Sequence, residues 1–384
     1  MLRTLSTKLT QLFQKFPVIF LTGPRQSGKT TLSKMTFPDL PYVNFEDISV
    51  LEKVKSDPHS FLDRYDNGLI IDEVQNLPNI FSYIQVYADK REKPGQFLLT
   101  GSQNFLLNEH ISQSLAGRIG ILELLPLSYN EIRQKHDFSI SEILFKGGYP
   151  RIYKYGIEPD DFFPGYLRTY VERDVRSLKN ISSLSTFQRL LFLCAGRTGQ
   201  VLNFSSLSND TGLSVNTLKS WISILESSYI VYMLQPYFIN INKRLIKSPK
   251  LYFYDTGLLC HLLGIQNKTE LIQHYAYGSI FENFIINEIR KHQLNHGKRA
   301  NMYFMRDSKG HEIDCVISEG KNRLLCEIKA SATFNSEFVK NIDYFRESND
   351  KCTVIYQGKE DFSFKNTQIK TNESFLTKEL KITD

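Results

Sequence analysis

Residues 18–32, Val-Ile-Phe-Leu-Thr-Gly-Pro-Arg-Gln-Ser-Gly-Lys-Thr-Thr-Leu, constrain this chain more than any other stretch. An apolar run predicts a buried strand, a glycine-bounded loop follows it, and Lys29 opens a helix. The G-x-x-x-x-G-K-T spacing is that of a phosphate-binding loop. Gly23 and Gly28 let the main chain approach a polyphosphate with no side chain in the way. Pro24, Arg25, Gln26 and Ser27 form the cradle between them, and Lys29 adds a point charge for the β- and γ-phosphates. The Thr30 hydroxyl is placed to ligate the Mg²⁺ that bridges those phosphates, with Thr31 beside it in the first helical turn. ATP and Mg²⁺ are the expected ligands.

At 384 residues the chain exceeds one typical domain and predicts two or three. Hydrophobic residues at 41% and charged residues at 23% exclude a disordered or fibrous chain. A net charge of +6 suits a nucleic-acid partner and an ordinary basic enzyme equally. Cys194, Cys260, Cys315, Cys326 and Cys352 are scattered without a C-x-x-C pair, which argues against a disulfide framework or a zinc site and for a reducing cytoplasm. No apolar run approaches the ~18 residues of a membrane helix, and the polar start lacks the apolar segment of an export signal. The expectation is a cytoplasmic chain with no membrane partner.

Leu2, Leu5, Leu9, Leu12 and Phe13 recur at helical spacing before Pro17, so a short helix leads into the first strand. Residues 42–45 read as a second strand. Leu69, Ile70 and Ile71 form an apolar run that ends in Asp72 and Glu73, as in a strand buried on both faces. Asp72 can hold Mg²⁺ through a water, and Glu73 can polarise the water that attacks the γ-phosphate. Residues 96–100 predict a third buried strand. Thr100, Ser102 and Asn104 follow at its carboxyl end, where open parallel sheets bind ligands; γ-phosphate sensing and an ordinary helix cap by Ser102 are the two readings. Arg118 precedes a strand over 119–124, either as an arginine finger reaching across a subunit boundary or as a helix C-terminal cap.

Together these features resemble the AAA+ ATPases over residues 15–160, a superfamily in which an additional strand lies between the phosphate-loop strand and the Asp-Glu strand. The run from Leu21 to Thr30, the segment from Ser114 to Ile119, Pro126-Leu127-Ser128, Gly147-Gly148-Tyr149-Pro150 and the stretch from Tyr170 to Arg176 resemble one prokaryotic group within it. Those proteins bind ATP and carry a C-terminal domain of unknown function.

A helix over 162–179 carries Arg168, Arg173, Arg176 and Lys179, with Arg173 either sensing nucleotide or pairing locally with Glu172 and Asp174. Patterns at 187–195, 204–209 and 215–227 predict three helices, and β-rich runs at 229–240 and 250–254 flank Lys243, Arg244 and Lys247. This is the order of a winged helix, used for phosphate contact or for domain packing alone. Asn216, Thr217, Lys219 and Ser220 are the outward polar groups of its second helix.

From residue 277 an amphipathic helix carries Glu282, and strands over 301–306, 312–317, 324–329 and 351–356 follow. Asp314 and then Glu327-Ile328-Lys329 give the spacing D-x(12)-E-x-K, with Glu327 and Lys329 on one face of a strand. Asp314 and Glu327 suit Mg²⁺, Lys329 suits a hydroxide nucleophile, and Gln357 is placed to position a phosphate. The constellation resembles the PD-(D/E)xK nucleases over 275–360, with Ile313 where the family's proline stands. The alternative is a structural pairing of Lys329 with the two carboxylates. Residues beyond Asp361 read as a loosely attached tail.

The expected fold is α/β, with an AAA+ P-loop domain over 1–160, a bridging helix and winged helix over 161–270, and a small restriction-endonuclease-like domain over 271–384. The expected function is Mg²⁺-dependent ATP hydrolysis coupled to DNA or RNA. The rival is a nucleotide-switched or antitoxin-like module that engages a protein partner or further copies of itself.

Overall fold

Alternation decides the first sheet. In β1 (Val18–Thr22), Val18 and Phe20 enter one apolar core while Ile19 and Leu21 enter another, so the strand is covered on both faces. The computed structural model describes residues 1–102, 115–171, 183–237, 248–320 and 322–381. It falls into two units, the first comprising 1–127, 227–229 and 293–298 and the second the remainder.

In the first unit the elements run α1 (Leu5–Phe13), β1, α2 (Lys29–Thr36), β2 (Tyr42–Asn44), α3 (Ile48–Ser56), α4 (Pro58–Asp63), β3 (Leu69–Asp72), α5 (Ile80–Arg91), β4 (Phe97–Thr100) and β5 (Ile119–Glu123). The five strands are parallel in the order β2-β3-β4-β1-β5. β4 therefore stands between the phosphate-loop strand and the Asp-Glu strand, as the resemblance implied. Leu5, Leu9 and Leu32 from α1 and α2 cover one face, while Val54, Leu62, Ile80 and Ile84 from α3, α4 and α5 cover the other. Parallel strands end together, so the carboxyl ends of β1, β3 and β4 meet along one edge.

The second unit opens with short helices and continues through α6 (Leu184–Ala195), α7 (Phe204–Thr211) and α8 (Val215–Ser227) to an antiparallel pair, β6 (Val231–Leu234) and β7 (Lys250–Phe253). Gly212 caps α7 in the left-handed conformation at the predicted turn. After α9 (Thr256–Leu262) come α10 (Tyr277–Asn295), β8 (Met302–Arg306), β9 (Glu312–Glu319), β10 (Asn322–Lys329), α11 (Lys340–Phe345), β11 (Lys351–Tyr356), β12 (Phe362–Phe364), β13 (Thr367–Thr371) and α12 (Asn372–Thr377). These six strands order as β12-β13-β11-β10-β9-β8, with β8, β9 and β10 antiparallel and β11 parallel to both β10 and β13.

The expected loose tail is overturned. β13 joins the sheet beside β11, and Ile369, Phe375 and Leu376 are buried. A strand with one inward apolar residue, followed by one helical turn, carries too little periodicity to be seen in sequence. Of the helix expected over 162–179, the described part is α-helical over Pro159–Tyr166 and a π turn over Leu167–Val171. Asn104, Ser114, Glu172, Arg173, Asp174, Arg176, Lys179, Lys243, Arg244 and Lys247 lie outside the described residues. No helix among the described residues is long and apolar enough to cross a membrane. All five cysteines are free and buried.

Candidate functional site

The loop from Gly23 to Gly28 leaves β1 with backbone that only glycine accepts at its two ends. Gly23 has φ +144°, and a Cβ there would lie 2.2 Å from the Leu124 carbonyl oxygen. Gly28 has φ 97° and caps α2, with its carbonyl accepting the Leu32 N–H at 2.9 Å. Arg3 clasps the loop from outside, donating to the Ser27 carbonyl at 2.7 Å and to the Leu125 carbonyl at 2.6 Å. Lys29 is buried, and its ammonium donates to the Gly23 and Pro24 carbonyls at 2.9 and 2.8 Å. Burial lowers its pKa to about 8, against the pull of Glu73 and Asp72 and with help from the nearby Arg25 guanidinium.

Asp72 closes β3 only 3% exposed and is fully engaged. Its Oδ2 accepts the Thr30 hydroxyl and the Tyr42 hydroxyl, both at 2.7 Å. Its Oδ1 accepts the Thr100 hydroxyl from β4, and the Glu73 N–H at 3.2 Å. Burial and the neighbouring Asp72 push the Tyr42 phenol well above its usual range, so it stays a donor. The hydroxyl of Thr30 and the carboxylate of Asp72 thus adjoin beside Lys29, an all-oxygen pair that fits Mg²⁺ with phosphate and water completing the shell. Thr100, one of three candidates for sensing phosphate, gives its hydroxyl to Asp72.

Glu73 has φ +53°, a left-handed backbone unusual for glutamate, and Gln75 Nε2 donates to its Oε2. The same nitrogen lies 3.5 Å from Ser102 Oγ, which brings Ser102 to the site's edge. Arg118 is elsewhere. It pairs with Asp89 and donates to the Ala116 carbonyl at 3.1 Å, at the amino end of β5. Thr31 is exposed on α2. Tyr42, Gln75 and Arg3 escaped the sequence reading; of these, Gln75 had a signal in its place two residues after the Asp-Glu pair.

A second cluster forms in the other unit. Glu282 of α10, Asp314 of β9, and Glu327 and Lys329 of β10 come together, joined by Lys250 of β7 and Glu312 of β9. Lys329 Nζ lies 2.8 Å from Glu327 Oε2 and 3.5 Å from Asp314 Oδ2, which also accepts the Ile328 N–H at 2.8 Å. Lys250, 1% exposed, pairs with Glu282 at 3.2 Å and with Glu312 at 2.5 Å. The Tyr252 hydroxyl donates to Glu282 at 2.6 Å. Burial raises Glu282 to about 7 and, with Asp314 beside it, drives Glu327 far above the carboxylate range. Burial would raise Asp314 too, but Lys329 and Lys250 outweigh it and hold that group low. Gln357 reaches Tyr277, its Nε2 2.8 Å from the phenol oxygen. Among the described residues no three His, Cys, Asp or Glu side chains form a cage for a metal.

The first unit is thus an α/β fold with a phosphate-loop geometry at the carboxyl edge of its five-stranded parallel sheet. Residues 15–133 match the family model described as "AAA domain". Residues 137–269 and 277–374 match two further models, each described as a domain of unknown function, DUF8612 and DUF4143. The chain is 29% identical over 334 residues to an uncharacterized protein of Mycobacterium tuberculosis, covering 86% of this chain and 74% of that one. It is 22% identical over 397 residues to an uncharacterized protein of Methanocaldococcus jannaschii, covering 87% and 80%. Among solved structures it is similar to a Walker-type ATPase of Pyrococcus abyssi, with TM-score 0.43, 14% identity and 67% and 94% coverage. AMPPCP-bound DnaA of Aquifex aeolicus gives TM-score 0.32, 15% identity and 58% and 85% coverage.

Proposed function

We propose that this chain hydrolyses ATP to ADP and phosphate with Mg²⁺ at the carboxyl edge of its parallel sheet. The observation that carries this is the convergence of Lys29, Thr30, Asp72 and Glu73 at the ends of β1 and β3. Loop N–H groups and Lys29 bind the phosphates, while Thr30 and Asp72 would hold the Mg²⁺ that offsets their charge. Glu73 takes a proton from water as its oxygen bonds to the γ-phosphorus. The bond from that phosphorus to the bridging oxygen breaks, its electron pair leaves with ADP, and the proton passes on to phosphate. Lys29→Ala is expected to lose the shift in melting temperature that ATP gives the wild type, which at a hundredfold excess over Kd corresponds to about 2.7 kcal/mol. Glu73→Gln should keep that shift and lose turnover by about 10²-fold or more. Full turnover in Glu73→Gln would assign the base elsewhere.

A second reading is favoured by the gathering of Glu282, Asp314, Glu327 and Lys329 from one helix and two strands. In it, ATP hydrolysis is coupled to nucleic acid, Asp314 and Glu327 would hold Mg²⁺, and Lys329 beside them would stabilise a hydroxide nucleophile. An open cavity of about 780 Å³, lined by Gly199, Asn203, Ser205, Ser248 and Arg306, adjoins the cluster through Gly199 and Glu282. Labelled single- and double-stranded DNA and RNA, incubated with Mg²⁺ or Mn²⁺ with and without ATP, test it. Cutting that disappears in both Asp314→Ala and Lys329→Ala supports the nuclease. An intact ATPase with no cutting favours a nucleotide-switched module, in which the lysines merely neutralise the carboxylates.

A further inference from the structure

Gln75 is held in an arrangement that a surface amide would not keep. Its Nε2 donates to Glu73 Oε2 and lies 3.5 Å from Ser102 Oγ, so one amide group touches both the expected base and the segment beyond β4. Its Oε1 is buried with no hydrogen-bond partner among the described residues. That oxygen packs on Gly101, where a Cβ would stand 2.4 Å from it, so the amide in this pose uses the space that a glycine leaves. The Gly101 N–H in turn donates to the Leu21 carbonyl of β1 at 3.4 Å, two residues before the phosphate loop. Turning the amide over would present an N–H to Gly101 and withdraw the donor from Glu73, so the orphaned carbonyl is the cost of keeping the donor on the glutamate. Glu73 itself has a left-handed backbone, with φ +53°.

We infer that Gln75 is a positioning residue for ATP hydrolysis: it fixes the Glu73 carboxylate from one side and ties it to Gly101 and Ser102 at the end of β4. This rests on the ATPase reading above, with Glu73 as the base. The water proton still goes to Glu73, and Gln75 neither gains nor loses one. Its contribution is to keep the acceptor oxygen aimed, an effect on turnover and not on ground-state binding.

The test uses the full chain as wild type, Glu73→Gln, Gln75→Leu, Gln75→Glu and the double variant Glu73→Gln/Gln75→Leu. Phosphate release across an ATP series gives kcat and KM, and titration with a fluorescent ATP analogue gives affinity. Gln75→Leu is expected to lower kcat about tenfold or more, with KM and affinity within about twofold. Gln75→Glu preserves the shape and removes the donor, and should fall likewise, which keeps the test valid if the leucine variant folds poorly. Because both residues act through one carboxylate, the double variant should be no slower than Glu73→Gln alone. Unchanged or raised kcat in Gln75→Leu and Gln75→Glu beside an active wild type would overturn the inference, as would a loss that multiplies in full in the double variant. A wild type that binds ATP and releases no phosphate would overturn the ATPase reading itself.

Discussion

Lys29 carries the sharpest dependence on conditions. With its pKa lowered to about 8 chiefly by burial, the ammonium of the ligand-free protein is present below that pH and lost above it. Phosphate binds the charged form, so ATP affinity should be flat below neutrality and weaken as pH rises past 8, by up to about tenfold per unit. Isothermal titration of ATP across pH 6.5 to 9.5 checks this, and an affinity that stays constant to pH 9.5 would remove Lys29 from the phosphate contacts. The residue scale is also where the sequence was least informative about partners. The roles of Lys29, Thr30 and Asp72 follow from fixed spacing, whereas the hydroxyls of Tyr42 and Thr100 reach Asp72 across neighbouring strands. Cross-strand contact has no sequence period, so nothing in residues 42 or 100 announced it.

Among elements, strands buried on both faces were legible because their composition is uniformly apolar: β1, β3 and β4 begin or end within a residue or two of their expected limits. Their carboxyl ends were legible with them, and hence the site. β13 and α12 were not, since each buries only one or two apolar groups. They nonetheless close the second unit's sheet against β11. Ending the chain at residue 361 should therefore uncover Val354 and its neighbours. Loss of a paired strand and of the buried Ile369, Phe375 and Leu376 should cost several kcal/mol, about 1.5–3 for each large apolar side chain. Limited proteolysis and thermal melting of the truncated chain measure it, and an unaltered melt would restore the loose-tail view.

At the scale of the whole molecule, the parallel sheet sets what Arg118 can reach. It stands beside Val18, at the opposite end of β1 from the phosphate loop. Five strand residues, about 16 Å at 3.3 Å each, separate the two levels. Any service to a nucleotide must then be rendered to another copy. An arginine finger in trans would make specific ATPase activity rise with protein concentration in the wild type and stay low and flat in Arg118→Ala, the difference reaching about tenfold or more. A concentration-independent wild type matched by the variant would leave Arg118 to its pairing with Asp89.

Lys250, enclosed by Glu282 and Glu312, binds three separate segments of the second unit into one electrical account that must stay balanced. Neutralising Lys250 leaves the Glu282 and Glu312 carboxylates without their shared cation, at about 3–5 kcal/mol, whereas exchanging all three together for apolar residues of like volume need cost little. Across the lineage of this chain these positions are therefore expected to change as a set or not at all, so that a homologue lacking one of them should lack its companions too.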